Sequence, residues 1–237
     1  LGTGPLELGF RQDAVSATMA LLVGFVGWVV VRYSRTYLDG EAREGRFHAL
    51  MLATLAGVLV LVQSGTLAVL VGAFLAVGAG LRQLLLHYPE RPEAQRAAAK
   101  FRLVWGAGDA LLAIAAALLW VAFGTADLAD ITTAAAAGLP LAAGVAVALI
   151  AVAAALKTAS FPLHGWLTEV MEAPTPVSAL LHAGIINGGG FLLIRMAGLV
   201  QASDGAMAAL VMLGWLARVA WMVQIIPGTT AMVFSNA

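Results

Sequence analysis

The sequence has no cysteine and very little charge, and each deficit narrows what the protein can be. Without cysteine, a disulfide scaffold, thiol catalysis and a cysteine-ligated metal are excluded. Asp, Glu, Lys and Arg make up only 11% of the 237 residues, whereas 61% are apolar. A soluble domain carries about 25% charged residues, so this chain has too little charge to cover a water-facing surface. A soluble globular fold is therefore excluded, and the apolar content also excludes disorder.

Excess positive charge is also missing. The formal net charge is +0 at pH 7, which leaves no basic surplus for nucleic acid. The four histidines show no metal-ligand spacing, and no HExxH motif is present. We therefore predict neither a metal nor another cofactor in this chain. The histidines are His48, His87, His164 and His182.

Long uncharged runs are what the sequence does contain, and they indicate a helical membrane protein. A spanning helix needs about 20 mostly apolar residues. The runs are rich in Ala, Leu and Val and lack the alternation of barrel strands. The run 47–81 is too long for one helix and contains a turn signal at 63–65. We predict an all-α, polytopic transmembrane helical bundle of about eight segments: 14–33, 47–62, 66–86, 102–123, 137–160, 176–200, 205–224 and a partial helix from about 229.

Basic residues indicate the orientation of this bundle in the lipid bilayer. Nine of the 13 Lys and Arg residues lie in the stretches 32–46 and 82–102. The positive-inside rule places these stretches, read as loops, in the cytoplasm. Within the second stretch, Arg91, Arg96 and Lys100 are candidates for docking a cytoplasmic partner. The alternative is that these charges only set the topology.

Lys157 is the first residue that could carry chemistry, because it follows 26 uncharged residues. One interpretation is snorkelling, in which a lysine near a helix end extends its ammonium to the membrane interface. Pro162 favours another interpretation, because it can break the helix near residues 157–163 beside a titratable amine. Pro174 and Pro176 are further candidates for a break in helical structure.

His182 and Asp109 are the other intramembrane ionisable candidates. Histidine titrates near physiological pH and suits a proton relay, but a neutral histidine bonded to a backbone carbonyl is the alternative. Asp109 is a candidate for the same pathway. Its alternative is a structural ion pair with Arg102, seven residues earlier on the same helix face.

Residues 157–182 resemble a known signature. The stretch KTASFPLHGWLTEVMEAPTPVSALLH resembles the antiporter-like proton-conducting subunits, a superfamily that includes the large membrane subunits of respiratory complex I, the Mrp cation antiporters and DabB. Its Lys, Pro, Trp-Leu, Ala-Pro-Thr-Pro-Val-Ser-Ala-Leu and His fall in register with that signature. The resemblance implies that Lys157 and His182 belong to a buried polar axis for protons.

Residues 81–100 are similar to the DabB branch of that superfamily. A second feature shared with the DabB branch is that segment 66–86 lacks the membrane glutamate of other members. Alignment places Leu75 at that position. The resemblance implies a proton- or sodium-conducting subunit, not itself an enzyme, in a complex that accumulates inorganic carbon by converting CO2 to bicarbonate. The implied partner is a DabA-like, β-carbonic-anhydrase-related protein on the cytoplasmic face, which would hold zinc. The implied location is the bacterial inner membrane.

The sequence also departs from the family pattern. Gly106 stands where the family usually has an arginine three residues before the aspartate, and no lysine follows Gln224. We expect residues 1–237 to be a partial antiporter-like domain, without the second half of the usual bundle. Two alternatives therefore stay open: a subunit of a complex I, hydrogenase or Mrp assembly, and a non-conducting scaffold for a soluble partner.

Overall fold

The computed structural model describes residues 7–41, 43–160, 166–167, 173–216 and 218. Regular structure in these ranges is helical, apart from two isolated β-bridges, Phe10 with Ser64 and Thr66 with Asp127. The all-α prediction is confirmed. The helices are α1 (Ala14–Tyr37), α2 (Glu44–Val62), α3 (Leu67–Leu85), α4 (Pro92–Phe123), α5 (Leu128–Ala136), α6 (Leu141–Lys157), α7 (Thr175–Leu180), a π-helical turn (Leu181–Ile185), α8 (Gly188–Arg195), α9 (Ala197–Gln201) and α10 (Asp204–Leu216).

Four of these helices, α1 to α4, are long and apolar enough to cross a membrane. The apolar α6 is shorter and packs along α4, while α3 packs between α2 and α4. The buried face of α6 consists mostly of small residues, which let neighbouring helix backbones approach closely. These small residues are Ala143, Ala146, Ala151, Ala153 and Ala154.

The start of α4 differs from the prediction. The helix begins at Pro92 rather than 102 and runs for 32 residues to Phe123. Proline is favoured in the first helical turn, because its missing N–H needs no partner there and its φ already suits a helix. Gly124 ends α4 in a left-handed conformation at φ 69°. Much of the stretch 82–102 is therefore helix and not loop.

A second difference lies between the predicted segments 102–123 and 137–160, where no helix is predicted. The short helix α5 begins there, because the Asp127 side chain accepts hydrogen bonds from the backbone amides of Ala129 at 2.7 Å and Asp130 at 3.2 Å. Aspartate at this position satisfies amides that have no partner inside the helix.

The predicted span 176–200 is also divided. Pro174 precedes α7 and Pro176 lies in its first turn, so these two prolines mark the start of a helix. The π-helical turn follows at once, with the Ile186 amide bonded to the Leu181 carbonyl at 3.1 Å. Pro162 lies outside the described residues, and α6 ends before it, at Lys157.

The connections between helices gather at two ends of the bundle. The upper end is defined here by residues 63–66 and 124–127, which are joined by the hydrogen bond from Leu67 N to Ala126 O at 2.9 Å. The lower end is defined by residues 38–41, Arg43 and residues 86–91. It is the arginine-rich end, for which the sequence predicts a cytoplasmic location.

Candidate functional site

Lys157 is the last residue of α6, and its side chain is fully buried. Its Nζ donates a hydrogen bond to Asp109 Oδ1 of α4 at 2.5 Å, forming an ion pair. Asp109 is only 8% exposed. The snorkelling alternative does not describe this lysine, because its ammonium turns towards α4.

Aromatic rings form the walls around this ammonium. Lys157 Nζ lies 4.5 Å from the ring centre of Phe74 and 4.2 Å from that of Trp105. Ring faces attract a cation electrostatically, and more strongly where water is absent. Trp105 in turn packs against Phe101 and Trp166, with ring centres 5.2 Å and 6.2 Å away.

The α3 residue that faces the lysine is Phe74 rather than Leu75. Leu75, which alignment places at the position of the family's membrane glutamate, is half-exposed on the outer side of α3. In the described part of the chain, the acid that faces the lysine comes from α4 and not from α3.

Two glycines allow this arrangement. A Cβ on Gly78 would lie 2.5 Å from Trp105 Nε1, so only glycine leaves room on α3 for the indole. A Cβ on Gly189 of α8 would overlap the carbonyl oxygen of Ala154 and approach the Thr158 amide to 3.1 Å. The contacts at Gly189 are with backbone, which cannot move aside as a side chain can. The end of α6 and the wall of the site therefore depend on glycine at both positions.

The backbone at the end of α6 is satisfied locally. The Thr158 hydroxyl donates to the Ala154 carbonyl at 2.8 Å, and the Ser160 amide donates to the Ala155 carbonyl at 3.1 Å. Ala159 adopts φ +50°, an unusual conformation for a residue other than glycine. The chain thus turns sharply away just after Lys157.

Asp109 and Arg102 do not form the ion pair that was considered as an alternative. Arg102 is exposed and lines a groove between α3 and α4, together with Arg82 and the edge of Asp109. Seven residues place the two side chains roughly on one face, but they also separate them by about 10 Å along the helix axis. Lys157 reaches Asp109 from the neighbouring helix instead.

His182 is not brought together with the pair. It lies on the π-helical turn and is exposed, and its side chain makes no hydrogen bond to another described residue. Single π-turns occur frequently at functional sites, which gives this position a structural distinction. A role for His182 in the pathway stays a prediction.

The predicted docking residues lie at the start of α4 and contact their own neighbours. Arg91 stacks on the Tyr88 ring at 4.4 Å, and Arg96 pairs with Glu93 at 3.1 Å. Lys100 is exposed one turn further along α4. In the described part of the chain, no group of three His, Asp or Glu side chains is arranged to hold a metal.

A second aspartate–cation pair, which the sequence reasoning missed, lies at the upper end. Arg195 Nη1 donates to Asp13 Oδ2 at 2.7 Å, and Arg11 lies 3.1 Å from the same oxygen. Asp13 also caps α1 by accepting from the Ser16 amide at 2.8 Å. Partial burial acts to raise the pKa of Asp13, but the Ser16 hydrogen bonds and the two arginines hold that pKa below its ordinary value. The Asp-x-x-Ser capping pattern was a readable signal; the contact with Arg195 was not.

A polar cluster at the lower end was also missed. Tyr88 Oη donates to Glu41 at 2.8 Å, and His87 Nε2 lies 3.3 Å from the same carboxylate. Burial, and then the hydrogen bond to Glu41, raises the pKa of Tyr88. Arg43 joins the cluster by contacting Glu90 at 3.3 Å. These contacts tie the α1–α2 connection to the α3–α4 connection.

Comparison with protein families identifies the class of this chain. A family model described as the transmembrane part of NADH:quinone oxidoreductase and Mrp antiporter matches residues 64–230. A second model, for the N-terminus of complex I chain 5, matches residues 1–48. The first match covers more than half of the chain, so the chain belongs to this family of membrane transport subunits.

Individual relatives indicate which branch of the family the chain resembles. The chain is 40% identical to a probable inorganic carbon transporter subunit DabB2 of Halothiobacillus neapolitanus, over 90% of this chain and 39% of the relative. It is 38% identical to a DabB subunit of Hydrogenovibrio crunogenus, over 86% of this chain and 40% of the relative. NADH-quinone oxidoreductase subunit L of Mycobacterium tuberculosis is 31% identical over 88% of this chain. The chain thus spans about two-fifths of the length of these DabB relatives, and the resemblance to the DabB branch is confirmed.

Solved structures support the same fold. The Mrp complex of Dietzia sp. matches with a TM-score of 0.72 and 31% identity, over 81% of this chain and 23% of that one. An archaeal membrane-bound sulfane sulfur reductase matches with a TM-score of 0.75 over 82% of this chain and 40% of that one. Its identity is 22%, so this second match concerns the fold alone.

Proposed function

We propose that the chain belongs to an ion-conducting subunit, for protons or sodium, of a complex that accumulates inorganic carbon by converting CO2 to bicarbonate. The names of the DabB relatives, as inorganic carbon transporter subunits, support inorganic carbon as the substrate. The observation that carries the proposal of conduction is the buried Lys157–Asp109 ion pair, which lies among apolar and aromatic side chains.

The depth of the pair supports a role in crossing the membrane. Asp109 lies 14 residues before the upper end of α4, about 21 Å along the axis, and Lys157 lies 16 residues after the upper start of α6, about 24 Å along the axis. The two distances agree, so the pair sits at one level of the bundle. Since the hydrocarbon core is about 30 Å thick, this level lies well inside it.

The chemistry of the pair couples two protonation states. In the described part of the chain, Asp109 is the one carboxylate that contacts Lys157. Loss of the proton from Nζ would leave the carboxylate buried without a counter-charge, which is costly. A proton that binds to or leaves one of the two groups therefore changes the protonation equilibrium of the other group. Each elementary charge that crosses the membrane potential is worth about 2.3 kcal/mol per 100 mV, which is the energy such a subunit would deliver to its complex.

The partner and the location are part of the same proposal. The lower end would face the cytoplasm in the bacterial inner membrane, where the stretches 32–46 and 82–102 place nine cationic side chains. A DabA-like zinc protein would dock there, with Arg91, Arg96 and Lys100 as candidate contacts. His182 would carry protons further along the pathway.

Replacement of Lys157 tests the proposal. Cells that depend on the complex for growth in air receive Lys157→Ala, Lys157→Arg or, as the matched control, Arg35→Ala on the exposed side of α1. In strains matched for protein level by immunoblot, we expect Lys157→Ala to abolish growth in air but not at elevated CO2, while Arg35→Ala grows in both. Normal growth of Lys157→Ala in air would overturn the assigned role.

A complex I or Mrp-type assembly is the second candidate, favoured by the match to the Mrp complex at 31% identity. Co-purification distinguishes the two candidates. Flavin and iron–sulfur proteins, or further antiporter subunits, would indicate this second candidate, whereas one large zinc protein would indicate carbon accumulation.

A non-conducting scaffold is the remaining alternative. A Lys157→Ala/His182→Ala variant would keep full activity in that case. An Arg91→Ala/Arg96→Ala variant would release the partner protein, which a pull-down measures.

A further inference from the structure

Two arginines share one groove between α3 and α4. The groove has a volume of about 140 Å³ and is lined by Arg82 of α3 and Arg102 of α4, with Trp105 and Asp109 behind them. Ala79 and Arg102 are exposed, so the groove opens on the side of the bundle.

The groove holds more hydrogen-bond donors and positive charge than its own residues satisfy. The charge of Asp109 is compensated by Lys157, and in the described part of the chain no acidic side chain pairs with Arg82 or Arg102. Arg82 Nε is buried without a hydrogen-bond partner, and so is Nε1 of Trp105, which is 2% exposed. Donors and two cations that have no partner among the described residues favour an anion as the ligand.

The level of the groove indicates which anions can reach it. Arg102 lies 21 residues from the upper end of α4, about 32 Å along the axis, and Arg82 lies 15 residues from the upper end of α3, about 22 Å along its axis. The hydrocarbon core is about 30 Å thick, so the groove runs from the level of the Lys157–Asp109 pair down to the lower headgroups, a level that Arg102 reaches. Basic pockets between membrane helices at this level bind lipid headgroups.

We propose that Arg82 and Arg102 form a binding site for a phosphate group, supplied by an anionic phospholipid headgroup or by a free phosphate ion. Each guanidinium presents a planar fork of donors that matches two phosphate oxygens. The Trp105 N–H lies deeper in the groove as a further donor. The site does not depend on ion conduction, because the Lys157–Asp109 pair already neutralises itself.

The test compares two charge-matched variants of the purified full-length protein. Arg82→Gln/Arg102→Gln removes the groove charges, and Arg32→Gln/Arg35→Gln removes two exposed charges at the lower end of α1. Native mass spectrometry follows binding of phosphatidylglycerol, phosphatidylcholine and inorganic phosphate. We expect the groove variant to bind phosphatidylglycerol at least tenfold more weakly, since it removes both guanidinium groups that would hydrogen-bond the phosphate directly. The α1 variant should change this affinity less than twofold.

A second pair of variants keeps every charge. Ala79→Phe fills the groove, and Ala107→Phe places the same ring on an exposed position of α4 outside it. We expect Ala79→Phe to weaken phosphatidylglycerol binding and Ala107→Phe to leave it unchanged. This comparison still tests the site if the arginine variant fails to fold.

The source of the phosphate is decided by competition. Retention of phosphatidylglycerol in millimolar inorganic phosphate would support a lipid headgroup; direct binding of inorganic phosphate, lost in the groove variant, would support the free ion. Equal loss in both charge-matched variants, or no binding of either probe, would overturn the site.

Discussion

The two aspartate–cation pairs of this protein differ in how many groups share each charge. At the upper end, Asp13 contacts two arginines and caps α1, and Arg195 also donates to the Val62 carbonyl at 3.0 Å. In the centre, Asp109 and Lys157 contact each other, and rings and small residues surround them.

This difference shows how the same chemistry serves two purposes. At Asp13, several partners together stabilise the charge of the carboxylate. Their contacts join α1, α2 and α8, so this pair holds the three helices together. At Asp109 each ion depends on the other, so a change in one protonation state is felt at once by the second. An isolated pair suits charge transfer, whereas a shared one suits stability.

The largest expected effect comes from separating the central pair. Lys157→Met or Asp109→Leu alone should lower the free energy of unfolding by about 3–5 kcal/mol, because each leaves a buried charge without a partner. The double variant Lys157→Met/Asp109→Leu should recover most of that loss while conduction stays abolished. Unfolding in detergent and ion uptake into proteoliposomes measure the two properties. Additive losses in the double variant would show that the ions are independent.

The next effect concerns the wall of the central pair. Gly78→Ala should cost about 1–3 kcal/mol, because its Cβ would lie 2.5 Å from the Trp105 ring nitrogen. Gly72→Ala on the same helix meets open space and should be neutral or stabilising by up to about 1 kcal/mol. Thermal unfolding of both variants checks the difference. Equal effects would mean that Trp105 moves aside freely.

A smaller effect is expected at the upper pair. Asp13→Asn keeps the helix cap but removes the charge, and should cost about 1 kcal/mol at pH 7. The pKa of Asp13 is lowered in the folded protein, so its contribution is present above the unfolded pKa of about 4 and is lost as the pH falls through the folded pKa. Unfolding of wild type and variant between pH 3 and pH 7 should therefore converge at the acid end. A difference independent of pH would contradict the ion pair.

The smallest effect is the response to salt. The side chains of Asp13 and Arg11 are 28% and 45% exposed, so half-molar salt should reduce the Asp13→Asn difference by a few tenths of a kcal/mol. The coupling between Asp109 and Lys157, measured by the double-mutant cycle, should stay constant because the pair is shielded from solvent. Equal salt sensitivity would place water at the central pair.

Sequence reasoning identified Lys157 because a single charge after a long apolar run is conspicuous. It did not pair Lys157 with Asp109, because helix periodicity along α4 paired Asp109 with Arg102. The observed partner of Asp109 comes from another helix, α6.

Helix boundaries were missed where hydropathy is uninformative. Pro92 and Asp127 are start signals that local rules recognise, but both lie in charged stretches that were interpreted as loops. The π-helical turn and the exposed position of His182 depend on packing, which no local pattern records.

The length of α4 has a mechanical consequence. Its 32 residues extend about 48 Å, so about twelve of them project beyond a 30 Å hydrocarbon layer at the lower end. The projecting turns and Asp109 belong to one uninterrupted rod. A force on the first turns of α4, outside the bilayer, therefore displaces the Asp109 carboxylate inside the bilayer. The helix moves as one rigid body, because no hinge interrupts it.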